Sequence, residues 1–543
     1  MRNGKRLWLA LILALCLAFS ACAPVDPEIL SAGSETETDN FLSIVDNDAE
    51  NLDPQCTSGA YTIALNVFDR LVEVQVDADG VSHIVPSLAE SWQVSEDGLT
   101  YTFRLHKGVH FSNGEALTAD DVLYTFTRLL THPEACNQDV ASAIAGADAL
   151  RRGEADTLAG IRVIDDASFS ITLNQPYAAF LACLSTPGAS ILDRETTEAA
   201  GKLFGRDPSE TVGTGPFIFT EWVRGASMTL EANPDCWSGP PRCAGLDIRV
   251  VTDSEAQRLL FEKGELDILD LENMGNDAEY FVHGDIYQQH LRQGPRVGIT
   301  YIALNQSRGP LRDVRVRRAL QIALDRQTLL NAVYSGRGTV ENGIFPQGLI
   351  GYNSGLRALP YAPEEARALL AEAGYPDGFS LEISFSDASA QTMRELLTLT
   401  AFMWKQVGVD ATLRELSDQE FMSLRKSGEL DCYSSTWSAD FNDPDNFIYT
   451  FFGTEENTRG RSLCYPDAGV IARVQAARSI VDTDARIREY QALEQKIVQE
   501  DAAWVPLFSR QHLFIISDRV QGFTVSWNGW SSNSYRNVSV QAR

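Results

Sequence analysis

Between residues 89 and 130 the apolar period of this chain switches from two to about 3.6, and that switch limits the folds open to it. SWQV and LTYTFRL flank the turn SEDG, and Leu99, Tyr101, Phe103 and Leu105 alternate with polar residues. The pattern predicts a hairpin with one buried face. Thr118-Ala-Asp-Asp121 then resembles a capping box with Asp in place of the usual Glu. It precedes a helix whose apolar face carries Val122, Phe126, Leu129 and Leu130. The same interleaving runs along the chain. FLSIVDND reads as a short strand and residues 61–72 as a helix. Asp313 is placed to cap a helix with Val316, Ala319, Leu320, Ala323 and Leu324 on one stripe. PEEARALLAEAG ends a helix at Gly374, ahead of the turn YPDG and the strand LEISFS. No internal repeat is evident. Strands and helices mixed in this way predict the α/β class.

A single core stops growing near ~250–300 residues, so a chain of 543 residues is expected to form at least two domains. Its first 21 residues belong to neither. Arg2, Lys5 and Arg6 precede an apolar run from Leu7 to Ala21. That run is shorter than the roughly 20 residues a membrane span needs and reads as a secretory signal. Ser20-Ala21-Cys22 closes it like a lipobox, with Cys22 as the lipidated new N-terminus; an ordinary signal followed by a coincidental cysteine is the alternative. Cys16 follows the bulky Leu15 and competes poorly. Residues 22–40, rich in Pro, Ser, Thr and acidic residues, then form a flexible tether.

Loss of Arg2, Lys5 and Arg6 moves the net charge from −29 to −32. Nucleic acid is thereby excluded as a partner, because its phosphates are bound by clustered Lys and Arg. Beyond Cys16 and Cys22 the cysteines are Cys56, Cys136, Cys183, Cys236, Cys243, Cys432 and Cys464, with no C-x-x-C pair among them. Cys236 and Cys243 flank WSGPPR and form the best local disulfide pair. Cys136 and Cys183 read equally well as small buried apolar residues. Enzyme motifs are missing: HExxH and G-x-S-x-G do not occur, and no Cys–His pairing is suggested. His106 and His110 are separated by a turn at Gly108 rather than sharing a helix face. DNDAENLD and DFNDPDN lack the glycine and terminal Glu of a calcium loop. No cofactor or metal is expected.

Residues 85–130, VPSLAESWQVSEDGLTYTFRLHKGVHFSNGEALTADDVLYTFTRLL, resemble the signature of the family 5 extracellular solute-binding proteins, the peptide- and nickel-type receptors of ABC importers. VGTGPFIFTEW at 212–222, NPDCW at 233–237, RVRRALQIALDRQTLL at 315–330 and WSADFNDPDNF at 437–447 follow in the family's order. The likeness covers the chain from about residue 42 to its end. Taken alone, Gly213, Gly215 and Pro216 read as a tight turn before a strand, and Trp92 and Trp222 as core aromatics.

The resemblance implies a two-lobed α/β clamshell of the periplasmic-binding-protein type II, with an extra subdomain in lobe one. Residues 41–60, 185–298 and 511–543 would make lobe one, 61–184 its subdomain, and 299–510 lobe two. Val297–Ile302 and Leu507–Leu513 are the hinge candidates. The implied protein is a monomeric, lipid-anchored, extracytoplasmic receptor that hands a peptide to an ABC permease and ATPase. A lipid-anchored peptide sensor, or a receptor for nickel or haem, is the alternative.

In peptide-binding members the Asp of W-x-x-D, here Asp440, pairs with the ligand's ammonium. Trp437 would supply an apolar wall, and the backbone near Ser438 and Ala439 could pair with a peptide as an added strand. From the other lobe the loop QCTSGAY is the expected contact, through Thr57, Ser58 and Gly59. Dipeptide receptors grip the carboxylate with an Arg, but Tyr433 and Asp387 stand in the corresponding neighbourhoods, and Asp418 replaces a nearby aromatic. That departure points to an oligopeptide or a non-peptide amine.

Overall fold

The computed structural model describes residues 40–48, 51–57, 61–76, 82–272, 274, 276–527 and 534–542. Cys22, Ser58 and Gly59 therefore lie outside the described residues. No described helix is long and apolar enough to cross a membrane.

The predicted hairpin forms: Ala89–Val94 pairs antiparallel with Thr100–Leu105, and Tyr101, Phe103 and Leu105 are buried. It joins Ser168–Thr172 and Ile161–Asp165 in a four-stranded sheet. Helix Ala119–Thr131 packs Val122, Phe126, Leu129 and Leu130 against that sheet's core. Its capping box is closed by Thr118 and Asp121, whose carboxylate accepts the Thr118 backbone N–H at 2.8 Å. Asp120 stays exposed in the first turn.

Two larger sheets carry most of the remaining strands, as the α/β reading requires, beside the two-stranded pairs Val72–Val76 with Ser82–Pro86 and Val520–Gln521 with Ser539–Val540. One has seven strands, in the order Leu291–Pro295, Gln511–Ile516, Ile268–Asp270, Phe41–Val45, Gly245–Arg249, Ser227–Ala232 and Phe217–Val223. The other has six: Thr339–Val340, Trp504–Ser509, Gly298–Leu304, Cys432–Ser438, Phe379–Ser386 and Val409–Leu416. Gly298–Leu304 is buried along its whole length, as a strand covered on both faces must be. Asp313 caps helix Val314–Ile322 by accepting from the Arg315 N–H, and helix Pro363–Glu372 precedes the strand Phe379–Ser386.

Three expectations change. The helix expected over 61–72 ends at Val67, because the Val67 carbonyl accepts the Gly215 N–H at 2.8 Å and the chain turns into the strand Val72–Val76. This also explains Gly213 and Gly215. A Cβ on either would lie 2.1 or 2.6 Å from the Val67 carbonyl group, so close approach, rather than a tight turn, demands glycine. Third, Cys236 and Cys243 are not bridged: both are buried free thiols. Cys236 Sγ reaches the Ser238 hydroxyl at 3.6 Å, whereas Cys243 packs into the core of the seven-stranded sheet, where burial pushes its thiol up to about 11.

The chain crosses between the large sheets twice, from Pro295 to Gly298 and from Ser509 to Gln511. The crossings touch, since the Arg296 N–H donates to the Arg510 carbonyl at 3.3 Å. Both arginines and His512 converge on the buried Glu272, at 3.0, 3.5 and 3.1 Å. Burial alone would raise this carboxyl, but His512, Arg296 and Arg510 outweigh it and hold the pKa down to about 2. Glu272→Gln should therefore lower stability by roughly 2 kcal/mol near neutral pH, as measured by urea unfolding. The loss stays at the lower end for a buried network because each arginine remains about a quarter exposed and can turn to water.

Candidate functional site

A cleft of about 990 Å³ is lined on one side by residues between Tyr61 and Gly188 and on the other by residues between Trp437 and Arg478, with Arg296 of the crossing also in its lining. One wall comes from the strand Cys432–Ser438 and the loop after it. Trp437, Ser438, Ala439 and Asp440 all line the cleft, so the four residues expected from W-x-x-D are together. Asn446 organises them. Its Oδ1 accepts from Trp437 Nε1 at 3.2 Å and from the Asp440 N–H at 3.1 Å, while its Nδ2 donates to Asp440 Oδ2 at 3.1 Å. The Asp440 carboxylate is left open to the cleft. Surrounding protein raises its pKa by desolvation, with Asp139 across the cleft adding to the rise and Asn446 and Arg461 opposing it. A cation entering here would meet an ionisable acceptor with few competing partners.

The backbone near Asp440 is tied to the sheet crossing. Ser438 pairs with Gly298 in register, and the Ala439 N–H donates to the Val297 carbonyl at 2.9 Å. That N–H is engaged, so an added peptide strand would have to use other backbone groups.

The opposite wall contains Tyr61, Asn137 and Asp139. Thr57 is buried behind it and does not line the cleft; its carbonyl accepts Asn137 Nδ2 at 3.0 Å and so positions a side chain that does. Gly188 permits this, since a Cβ there would lie 2.6 Å from the Asn137 Cβ. Tyr61, the last residue of the QCTSGAY loop, has its hydroxyl pushed up to about 12, mainly by burial, with Cys136 next and Asp440 adding to it. The expected loop is therefore at the cleft, but through Tyr61.

Tyr433 and Asp387 lie elsewhere. Tyr433 is fully buried and donates to the Arg461 carbonyl at 2.8 Å; Asp387 accepts the Asp418 N–H at 2.9 Å on an exposed surface. Neither lines the cleft, whereas Arg461 does. The Arg461 guanidinium carbon lies 4.6 and 4.9 Å from the ring centroids of Trp437 and Phe451, within cation–π range of both. Its place in ENTRGRSL gives no periodic or motif signal, so only the fold brings it beside Asp440.

One pairing missed in the sequence is Cys56 with His132, whose Nδ1 lies 3.4 Å from the thiol. The residues are 76 apart and meet only when the loop after Phe41–Val45 packs on the end of helix Ala119–Thr131. Burial and the neighbouring Asp53 push the Cys56 thiol up to about 12, which suppresses the thiolate that nucleophilic chemistry needs. Neither residue lines the cleft.

A family model described as bacterial extracellular solute-binding proteins, family 5, middle, matches residues 83–459. Heme-binding protein A of Haemophilus influenzae is 31% identical over 88% of this chain and 87% of its own length. The dipeptide-binding protein of Escherichia coli K12 is 28% identical over 94% and 96%. Among solved structures, HbpA2 from Haemophilus parasuis superposes with a TM-score of 0.81 at 28% identity, covering 92% of this chain and all of that one.

Proposed function

The chain belongs to the family 5 bacterial extracellular solute-binding proteins, and on that premise we propose that it is the substrate-binding lipoprotein of an ABC importer. It captures a peptide between two lobes and delivers it to a membrane permease and its ATPase. The observation that carries this reading is Asp440: a carboxylate open to a cleft of about 990 Å³, oriented by Asn446, with the Trp437 indole beside it. A peptide ammonium is the cation that such a group fits. The indole and the Tyr61 ring would flank the first side chain.

The lobe assignment supports this use of the cleft. Every strand of the seven-stranded sheet falls in residues 41–60, 185–298 or 511–543, and the six-stranded sheet runs from Gly298 to Ser509. Two adjacent single crossings are the geometry of a hinge that can close one lobe on the other. A lipid on Cys22, followed by a tether, would hold the clamshell near its permease while leaving it free to close.

Native mass spectrometry of the purified protein, followed by calorimetry with the ligand it carries, tests the reading. Asp440→Asn should weaken binding by about ten- to a hundredfold, the worth of a charge-assisted hydrogen bond of about 1.5–3 kcal/mol, while thermal unfolding stays put. A retained ligand without an amine, such as haem, would sink the peptide assignment.

A further inference from the structure

Two thiols meet beside the cleft. The Cys136 N–H donates to the Gln55 carbonyl at 3.0 Å, and the Cys136 Sγ lies 3.6 Å from that oxygen and 3.2 Å from the Thr57 carbonyl oxygen. These two carbonyls bracket Cys56. A hydrogen bond to the carbonyl just before Cys56 leaves the two Cα atoms no more than about 7 Å apart, and a disulfide spans roughly 4.4–6.8 Å. The approach is already fastened, because Asn137 Nδ2 donates to the Pro54 and Thr57 carbonyls at 3.2 and 3.0 Å. We propose that Cys56 and Cys136 are a dithiol pair that closes to a disulfide when the folded protein meets a small organic disulfide outside the cytosol. The bridge would lock the loop after Phe41–Val45 to the cleft wall that carries Asn137.

The two thiols divide the chemistry. Cys136 is exposed and lines the cleft, so it is the sulfur an outside reagent reaches; Cys56 is half-buried behind it. His132 Nδ1, 3.4 Å from the Cys56 sulfur, already accepts the Glu134 N–H at 3.2 Å, so it carries no proton and the Cys56 S–H is the donor. Asp53 Oδ2 is also 3.4 Å from the thiol, but Arg128 holds that carboxylate at 2.6 Å and leaves the imidazole as the better proton acceptor. Desolvation, with Arg128 next, keeps His132 below its ordinary pKa and therefore neutral. In the first step the Cys136 sulfur attacks the organic disulfide RSSR and forms a mixed disulfide. One RS⁻ leaves and is protonated to RSH, and the Cys136 proton goes to water. In the second step Cys56 gives its proton to His132, its sulfur turns about χ1 and attacks the Cys136 sulfur, and the second RS⁻ leaves as RSH. Two protein thiols are oxidised to one disulfide, and RSSR is reduced to two thiols. Burial keeps both protein thiols protonated at rest, so the second step depends on the held approach and on His132 rather than on a standing thiolate.

The test exposes the folded protein to 2-hydroxyethyl disulfide, quenches with acid, alkylates the remaining thiols under denaturation and maps the peptides by mass spectrometry. The wild type should yield one joined pair of peptides carrying Cys56 and Cys136, lighter by two hydrogens, with the buried Cys183, Cys236, Cys243 and Cys432 alkylated. Cys56→Ser should stop at Cys136 capped by the hydroxyethylthio group. His132→Asn should accumulate that same capped species, closing at least about tenfold more slowly while capping at the wild-type rate. The bridged protein should unfold about 5 °C higher than the reduced one, and dithiothreitol should reverse the shift. A wild type whose Cys136 stays capped, joins another cysteine or remains a free thiol overturns the pairing. Closure of His132→Asn at the wild-type rate overturns the role of His132 and leaves the pairing standing. An unshifted unfolding temperature in fully bridged protein overturns the locking of loop to wall.

Discussion

Arg486→Met should lower the stability of the protein by about 3–5 kcal/mol, seen as an earlier first transition in urea or heat. Arg486 donates through both terminal nitrogens to Asp443, at 2.8 and 2.6 Å, and the two side chains are 5% and 3% exposed. Burial works against the guanidinium charge, and Asp443 more than compensates for it. Removing the arginine strands a carboxylate where no water can replace it, which is why the loss should exceed that of Glu272→Gln. The effect should extend to binding. Asp443 sits between Asp440 and helix Asp445–Phe452, and Asp445 is held in turn by Arg478 at 3.1 Å and Tyr490 at 2.8 Å. These contacts anchor the loop that aims Asp440. Asp443→Asn with Arg486→Met together should cost less than Arg486→Met alone, since no unpaired charge remains. A double variant as unstable as the sum of the singles would show that the pair is not coupled.

This division of labour within WSADFNDPDNF marks how far the sequence reaches. Local patterns carry what is local: alternation built the hairpin at 89–105, and Thr118 and Asp121 capped the helix after it, because each depends on neighbours within a few residues. Resemblance brought Trp437 to Asp440 to the cleft. It could not separate Asp440, which lines the cleft, from Asp443 and Asp445, which are buried and paired, since all three look alike in an acidic loop. The partners Arg486 and Arg478 are more than 30 residues away, one within helix Thr483–Glu494 and the other just past the end of helix Ala468–Ala477, and neither belongs to a motif. Arg461 was hidden for the same reason. The Gly213–Val67 approach was also non-local, so a glycine required by another segment's carbonyl read as a turn.

Stability should also fall as pH rises from about 5 to 8, opposite to the usual behaviour of a protein rich in carboxylates. Among the buried acids with raised pKa values, Glu494 at about 8, Glu341 at about 7 and Asp270 at about 7 fall within this window, each chiefly through burial. Glu494 is fully buried against Gly343; its Oε1 accepts the Phe345 N–H at 2.7 Å, and its Oε2 has no hydrogen-bond donor among the described residues. A carboxyl with folded pKa above its unfolded value binds more protons in the native state throughout that window. Its contribution is complete below about 4.5 and is lost as pH climbs through the folded pKa. At about 1.4 kcal/mol per unit, Glu494 alone should account for roughly 3 kcal/mol between pH 5 and 8. Glu272, with its lowered pKa, loses its contribution only as pH falls from about 4.5 toward 2 and leaves this window untouched. Growing self-repulsion of a chain at −29 would push in the same direction, so the slope alone does not decide the cause. Glu494→Gln does decide it. The variant keeps the shape and nearly the same surface charge, and stabilities from urea unfolding at pH 5, 6.5 and 8 should then flatten by roughly 3 kcal/mol across the window relative to wild type. An unchanged slope in the variant would assign the whole pH dependence to surface repulsion.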